Sequence, residues 1–268
     1  MRRGLAVVCV VAATTLVSTT GAQAIVYGQP DGNRHPYVGA LVFESDGQKR
    51  KICSGTLIDP EVYLTAGHCT AALASRGVAP SDVWVTFDSV FSQDATFLPG
   101  TYHTHPDFGF SGPGGRSDPH DIAVIVLDKA VRGLTPARLP GEGLLDDLHA
   151  DHELMSQTFT AVGYGTIRET RTGGPQNILP NNERRYALQH ALSLQPAWLT
   201  LSMNQATGDG GTCFGDSGGP HFLGGVESNL IVSITVTGDI VCKATDVTYR
   251  LDTASARDFL DGFVEVPS

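Results

Sequence analysis

From residue 38 onward the chain alternates short β-branched and aromatic runs with turn-forming clusters: VGALVF (38–43), YLTAG (63–67), VWVTF (83–87), IAVIVLD (122–128), TFTAVGYG (158–165), LIVSITV (230–236) and VTYRL (247–251). Runs this short, bounded by Gly, Pro, Asp and Asn, specify many strands joined by turns. Helical periodicity is confined to residues 253–263, where Thr253 offers a cap and Phe259, Leu260 and Phe263 share a face. The stretch TPARLPGEGLLDDLHADHE (135–153) breaks the strand pattern with prolines, glycines and acids near the middle of the chain, and suits a connection between two β halves. The length left without residues 1–24 fits one large all-β domain or two small barrels sharing a core.

The first residues carry Arg2 and Arg3, an apolar run over 5–13, and a small-x-small site at Ala22 and Ala24. Residues 1–24 therefore read as a secretory signal peptide, and the product as secreted and extracellular. A membrane anchor needs about eighteen continuous apolar residues, and this segment turns to Thr, Ser and Gly after Leu16. Cleavage after Ala22 is also chemically permitted. The chain holds 18 Lys and Arg against 28 Asp and Glu, a formal net charge of −10, and the leader removes only basic charge. An acidic, soluble protein of this kind is a poor partner for nucleic acid or an anionic membrane.

Cys9 leaves with the leader, and Cys53, Cys69, Cys213 and Cys242 remain as an even set in an exported chain. Three connectivities are open, and the short separations favour Cys53–Cys69 and Cys213–Cys242, one bridge in each half. Zinc is the competing reading, but the chain has no close C-x-x-C pair and export favours oxidation. No metal and no cofactor are expected.

Three stretches carry chemistry. GTCFGDSGGP (211–220) sets Ser217 between glycines, on a turn whose neighbouring N–H groups are free to face a developing oxyanion. CSGTLIDPEVYLTAGHC (53–69) supplies His68, and HDIAVIVLD (120–128) supplies Asp121 at the mouth of an apolar strand. A serine needs a base, and the base an orienting carboxylate; together these read His, Asp, Ser in chain order.

In these motifs the sequence resembles the trypsin/chymotrypsin family of serine endopeptidases, with a layout similar to its secreted bacterial members. LTAGHC (64–69), DIAVIVLD (121–128) and GDSGGP (215–220) resemble its histidine, aspartate and serine motifs, supported by VGYG (162–165), HPDF (105–108) and VSI (232–234). The resemblance covers nearly all of 25–263. It implies an all-β fold of two six-stranded antiparallel β-barrels with a C-terminal helix, an N-terminal barrel at 25–135 and a C-terminal barrel with the terminal helix at 136–268. It further implies Ser217 as nucleophile, His68 as general base and acid, Asp121 as orienting carboxylate, and the N–H groups of Gly215 and Ser217 as oxyanion hole. Ser233 matches the position that hydrogen-bonds the triad aspartate. IVYG (25–28) resembles the family's mature amino terminus, whose ammonium pairs with the aspartate before the nucleophile, here Asp216. Signal cleavage after Ala24 would then itself produce the active enzyme.

The resemblance also places Gly211, Thr212, Ser233, Thr235 and Asp246 around the specificity pocket. Gly211 stands where the trypsin branch carries aspartate, while Thr235 and Asp246 stand where glycines are usual. Bulkier walls shorten a pocket, so small or medium aliphatic residues are expected before the scissile bond; the alternative is that Asp246 reaches the pocket and selects a cation. Polypeptide substrates and protein inhibitors are the expected partners, and the protein is expected to be a monomer. A non-catalytic binding or adhesion module of the same fold is the alternative function, although the triad residues are all present. An α/β-hydrolase esterase is excluded by motif order, since there the serine comes first.

Other clusters have plainer readings. His103 and His105 sit at metal-ligand spacing, but His105 belongs to the HPDF motif. Asp146, Asp147, His149, Asp151, His152 and Glu153 lack the spacing of a known calcium loop. Residues 110–116 read as a loop beside the cleft.

Overall fold

A computed structural model describes residues 25–109, 118–168, 170 and 172–267. The leader and the loop at 110–116 lie outside these residues. A two-residue strand β1 (Gln29–Pro30) precedes the first barrel, which is built from β2 (Val38–Ser45), β3 (Gln48–Asp59), β4 (Val62–Thr65), β5 (Val83–Thr86), β6 (Leu98–Thr104) and β7 (Ala123–Leu127). These close antiparallel in the order β2-β3-β4-β7-β6-β5. The second barrel uses β8 (Thr158–Gly163), then, after a ribbon of β9 (Ile167–Arg168) and β10 (Ile178–Leu179), β11 (Arg185–Leu194), β12 (Trp198–Ser202), β13 (Pro220–Leu223), β14 (Ile231–Gly238) and β15 (Thr245–Arg250). Its order is β11-β12-β15-β14-β13-β8, closed by pairing of β11 with β8. The fold is therefore two six-stranded antiparallel β-barrels with a C-terminal helix, α3 (Ala254–Asp261).

Strands β2, β4, β7, β8 and β14 are buried along most of their length, whereas β11 alternates inside and outside. In β11, Ala187, Gln189 and Ala191 are buried while Leu188, His190 and Leu192 face out. Helix α3 starts where Thr253 accepts a hydrogen bond from Ala256 N–H and buries Ala256 and Leu260, with Phe259 and Phe263 packed against the core.

Two further helices have no local start signal. Helix α1 (Gly67–Ser75) begins after Ala66, which offers no side-chain cap; the Asp121 carboxylate accepts the His68 backbone N–H instead, at 2.8 Å. Helix α2 (Leu144–Ala150) lies inside the segment expected to be a simple connection. Its Leu145 N–H is taken by Asp252 at 2.8 Å, and Leu145 is buried with Leu154, Phe159, Leu199 and Leu201. A distant carboxylate does for each helix what a local Ser or Asp normally does.

The two barrels are tied by a buried cation. Arg184, just before β11, is fully buried, with Nε on Asp31 Oδ2 at 2.8 Å. Its Nη1 lies within hydrogen-bond distance of the carbonyls of Val38 and Phe87 in the first barrel and of Tyr164 Oη in the second, and Nη2 donates to Gly32 O and Asn33 Oδ1. Asp31 also contacts His35 Nδ1. Burial pushes the Asp31 carboxyl upward, but His35 and Arg184 outweigh it and hold it below its ordinary value. Removing one partner from such a pair leaves an uncompensated buried charge. Arg184→Met is accordingly expected to lower unfolding stability by about 3–5 kcal/mol in urea denaturation, whereas a loss within error would show that the clamp does not hold the barrels.

Candidate active site

His68 stands at the start of α1, and Asp121 lies two residues ahead of β7, so both come from the first barrel. His68 Nδ1 lies 2.9 Å from Asp121 Oδ2 and 3.2 Å from Oδ1. Asp121 is 4% exposed, and its carboxylate takes both the imidazole and the His68 backbone N–H. Ring orientation and helix start are thereby fixed by one group.

Ser217 comes from the second barrel, on the turn before β13. Gly215 (φ 97°) and Gly218 (φ 75°) flank it in the left-handed region that favours glycine. A Cβ on Gly218 would lie 2.2 Å from Thr65 Oγ1 and 2.6 Å from Ala66 N. The serine turn thus presses directly on the junction that carries His68. Ser54 of β3 stitches it down: its N–H donates to Ser217 O at 2.9 Å, its Oγ donates to Gly215 O at 3.0 Å, and the same Oγ accepts Tyr164 N–H at 3.0 Å. The N–H groups of Gly215 and Ser217 are bonded to no described residue, and neither is Ser217 Oγ. Catalytic hydrogen bonds are commonly long before substrate arrives.

Asp216, fully buried behind the turn, accepts N–H bonds from Gly165 (2.7 Å) and Cys213 (2.9 Å). Gly163 and Gly165 leave room for it: a Cβ on either would lie within 2.3 Å of a carboxylate oxygen. Burial pushes its carboxyl up to about 7, against the two backbone bonds and the nearby Lys51 cation, which favour the charged form. Lys51 donates to Tyr164 O at 2.6 Å, and its own burial lowers its pKa. Ile25 and Val26 are fully buried, and Gly211 N–H donates to Val26 O at 2.9 Å.

The disulfides run Cys53–Cys69 and Cys213–Cys242. Cys53, His68 and Cys69 bring ligand-type atoms within 4.8 Å of one another, but both sulfurs are spent in the bridge. The His103 ring lies against Phe263, and that of His105 against His120 and Phe259, so both serve the seat of α3. Asp146 pairs with Arg250 at 2.6 Å.

A cavity of about 130 Å³ opens beside Ser217, walled by Thr212, Cys213, Thr235, Gly238, Asp239 and Cys242. Of the residues expected around it, Thr212 and Thr235 line it and three do not. Gly211 pairs with Val26 and packs on Met203 and Gln189. Ser233 is buried with its hydroxyl 2.9 Å from that of Thr248, and makes no hydrogen bond to Asp121 among the described residues. Asp246 lies fully buried beneath the wall, its Oδ2 accepting Gln189 Nε2 at 3.1 Å. Ser54, Lys51, Gln189 and His221 were not singled out by sequence; only the position of Ser54 beside Cys53 placed it near a motif.

With this geometry in hand, the comparisons define the class. The Trypsin family model matches residues 25–257, and the chain belongs to the trypsin family. Kallikrein 1-related peptidase b27 of Mus musculus is 28% identical over 210 residues, covering 71% of this chain and 72% of that protein. Glandular kallikrein of Sus scrofa is 26% identical over 216 residues, covering 74% and 79%. A solved HL collagenase structure aligns with a TM-score of 0.63 at 19% identity, covering 90% of this chain and 99% of that one, a likeness of fold. The layout of secreted bacterial members, expected from the motifs, is corrected here: these curated relatives are mammalian kallikreins. The three motifs are set by chemistry common to the whole family and say nothing about its branches. No helix among the described residues is long and apolar enough to cross a membrane.

The folded Asp216 binds its proton more tightly than the ordinary carboxyl at 3.8. Its contribution to stability is therefore fully present below pH 3.8 and lost as pH rises through about 7. In a chain that keeps residues ahead of Ile25, melting temperature is expected to fall across this window, and Asp216→Asn is expected to flatten the fall in thermal unfolding.

Proposed function

We propose that this protein is a secreted serine endopeptidase that cleaves polypeptides through an acyl-enzyme on Ser217. The observation that carries the reading is the buried Asp121 on His68 Nδ1 at 2.9 Å, beside a serine turn whose Gly215 and Ser217 N–H groups are bonded to no described residue. Ser217 Oγ attacks the scissile carbonyl carbon while His68 Nε2 takes its proton. The carbonyl oxygen, now an oxyanion, is received by the two free N–H groups. His68 then delivers the proton to the leaving amine, and Asp121 holds the ring's tautomer and stabilises the imidazolium. Water, activated by the same imidazole, hydrolyses the ester. Ser54 is a positioning residue, since it fixes the carbonyls of Gly215 and Ser217 without touching substrate.

Residues 1–24 are proposed to be removed on export, leaving a monomer of two barrels, 25–135 and 136–268, open to protein inhibitors. The new ammonium of Ile25 would pair with Asp216. Their shared burial supports this pairing, and an adjacent cation would bring the Asp216 carboxyl down from about 7.

The likeness to kallikreins favours the basic alternative for specificity over the aliphatic one. Asp246 supplies the charge: it is fully buried on β15 opposite Gly238, and its Oδ1 has no hydrogen-bond partner among the described residues. Asp239, the acid on the cavity wall, is already engaged by the N–H groups of Lys243, Ala244 and Thr245. On peptide amide substrates, Ser217→Ala and Asp121→Asn are each expected to lower kcat by about 10⁴-fold or more. Asp246→Asn is expected to cost at least roughly tenfold in kcat/KM for Lys or Arg before the scissile bond and little for Leu. Full activity in Ser217→Ala would overturn the reading.

A further inference from the structure

Residues 164–166, just beyond β8, lie between the first barrel and the serine turn and are held from both sides. From β3, Ser54 Oγ accepts the Tyr164 N–H at 3.0 Å, and Lys51 Nζ donates to the Tyr164 carbonyl at 2.6 Å. On the other side, Gly165 N–H donates to Asp216 Oδ1 at 2.7 Å, and Thr166 N–H to the Phe214 carbonyl at 2.8 Å. That carbonyl and the Gly215 N–H belong to one planar peptide unit, so its bond to Thr166 sets the direction of a proposed oxyanion donor.

Lys51 is the cation of this network. The Tyr164 carbonyl and the Gly165 N–H are likewise two sides of a single peptide group, so ammonium, peptide and carboxylate form one hydrogen-bonded chain from Lys51 Nζ to Asp216 Oδ1. A cation on its oxygen polarises the peptide and strengthens its N–H as a donor, an effect that grows in a dry interior. Lys51 makes no ion pair among the described residues, and the charge that acts on it is that of Asp216. Asp216 in turn is pressed toward neutrality by burial and by the like charge of Asp246, and held toward its charged form by the N–H bonds from Cys213 and Gly165 and by Lys51.

We propose that Lys51 is a built-in counter-charge for Asp216, which keeps the serine turn ordered and Ser217 reactive in a chain that still carries residues ahead of Ile25. The inference rests on the reading of Ser217 as the nucleophile of an endopeptidase and of Asp216 as the partner of an Ile25 ammonium. The leader permits cleavage after Ala22 as well as after Ala24, and the first of these leaves Gln23 and Ala24 in front of Ile25. With Lys51 in place, such a chain has a cation for Asp216 without the terminal one. Lys51 acts on Asp216 through the Tyr164–Gly165 peptide and is a positioning residue. Once Ile25 is terminal, two cations serve one carboxylate, and the demand on Lys51 falls.

The test is the second-order rate of Ser217 phosphonylation by a fluorophosphonate, measured on the chain starting at Gln23 and on the chain starting at Ile25, each identified by intact mass. The wild-type Gln23 chain is expected to react within about a hundredfold of the Ile25 chain. Lys51→Met is expected to slow the Gln23 chain by about tenfold or more, and by at least about fivefold more than it slows the Ile25 chain. Lys51→Arg, which keeps the charge, is expected to retain most of the rate in both. A packing role for Lys51 slows both chains alike, so an equal loss, or none, overturns the inference. An inert wild-type Gln23 chain beside a reactive Ile25 chain overturns it as well, and that comparison needs no variant to fold. Absence of reaction in both wild-type chains overturns instead the endopeptidase reading on which the inference rests.

Discussion

The proposed site depends on two barrels staying in fixed register across their seam, and the buried Arg184 clamp is the interaction that sets it. His68 and Asp121 belong to one barrel and Ser217 to the other, so no single strand or helix holds the three together. Arg184 spends its guanidinium on Asp31, on the carbonyls of Val38 in β2 and of Phe87 just beyond β5, and on the Tyr164 hydroxyl. Such a pair adds little net stability over a well-packed apolar contact, but it tolerates only one arrangement, since any slip strands a charge in a dry interior. Fine positioning falls to neutral groups: Ser54 fastens the serine turn from the first barrel, and Gly218 allows that turn to touch the backbone ahead of α1.

The same groups serve folding and chemistry together. Asp121 both orients the imidazole and caps α1. Asp216 anchors the serine turn through Cys213 and Gly165, but its burial pushes the carboxyl up to about 7 even with the Lys51 cation nearby. In the proposed reading, cleavage ahead of Ile25 would supply an ammonium to Asp216 and so couple processing to the order of the serine turn.

Much of the fold was legible because it is written in local pattern. The runs around residues 38–43, 122–128 and 230–236 became β2, β7 and β14, and Thr253 started α3 where a capping residue precedes an apolar face. Helices α1 and α2 were not legible, since their caps, Asp121 and Asp252, are 53 and 107 residues away from the amides they serve. The triad residues stood out because nucleophile, base and carboxylate each lie in a short motif. The layer under the pocket did not: Gln189 and His221 occupy ordinary strand positions, and only barrel closure brings them to Asp246. Ser233 is a related case: its hydroxyl lies against that of Thr248, a neighbour that strand pairing alone supplies. Branch was illegible because motifs dictated by a shared mechanism do not record it.

The central claim is that an exported chain starting at Ile25 carries a single activated serine. Its most direct test is the intact mass of the secreted protein before and after reaction with a fluorophosphonate. The account predicts a chain that begins at Ile25, with two disulfides and one phosphonyl group that is absent in Ser217→Ala. A chain beginning at Ile25 that takes up no phosphonyl group would contradict it, and would leave a trypsin-family fold that binds without cleaving.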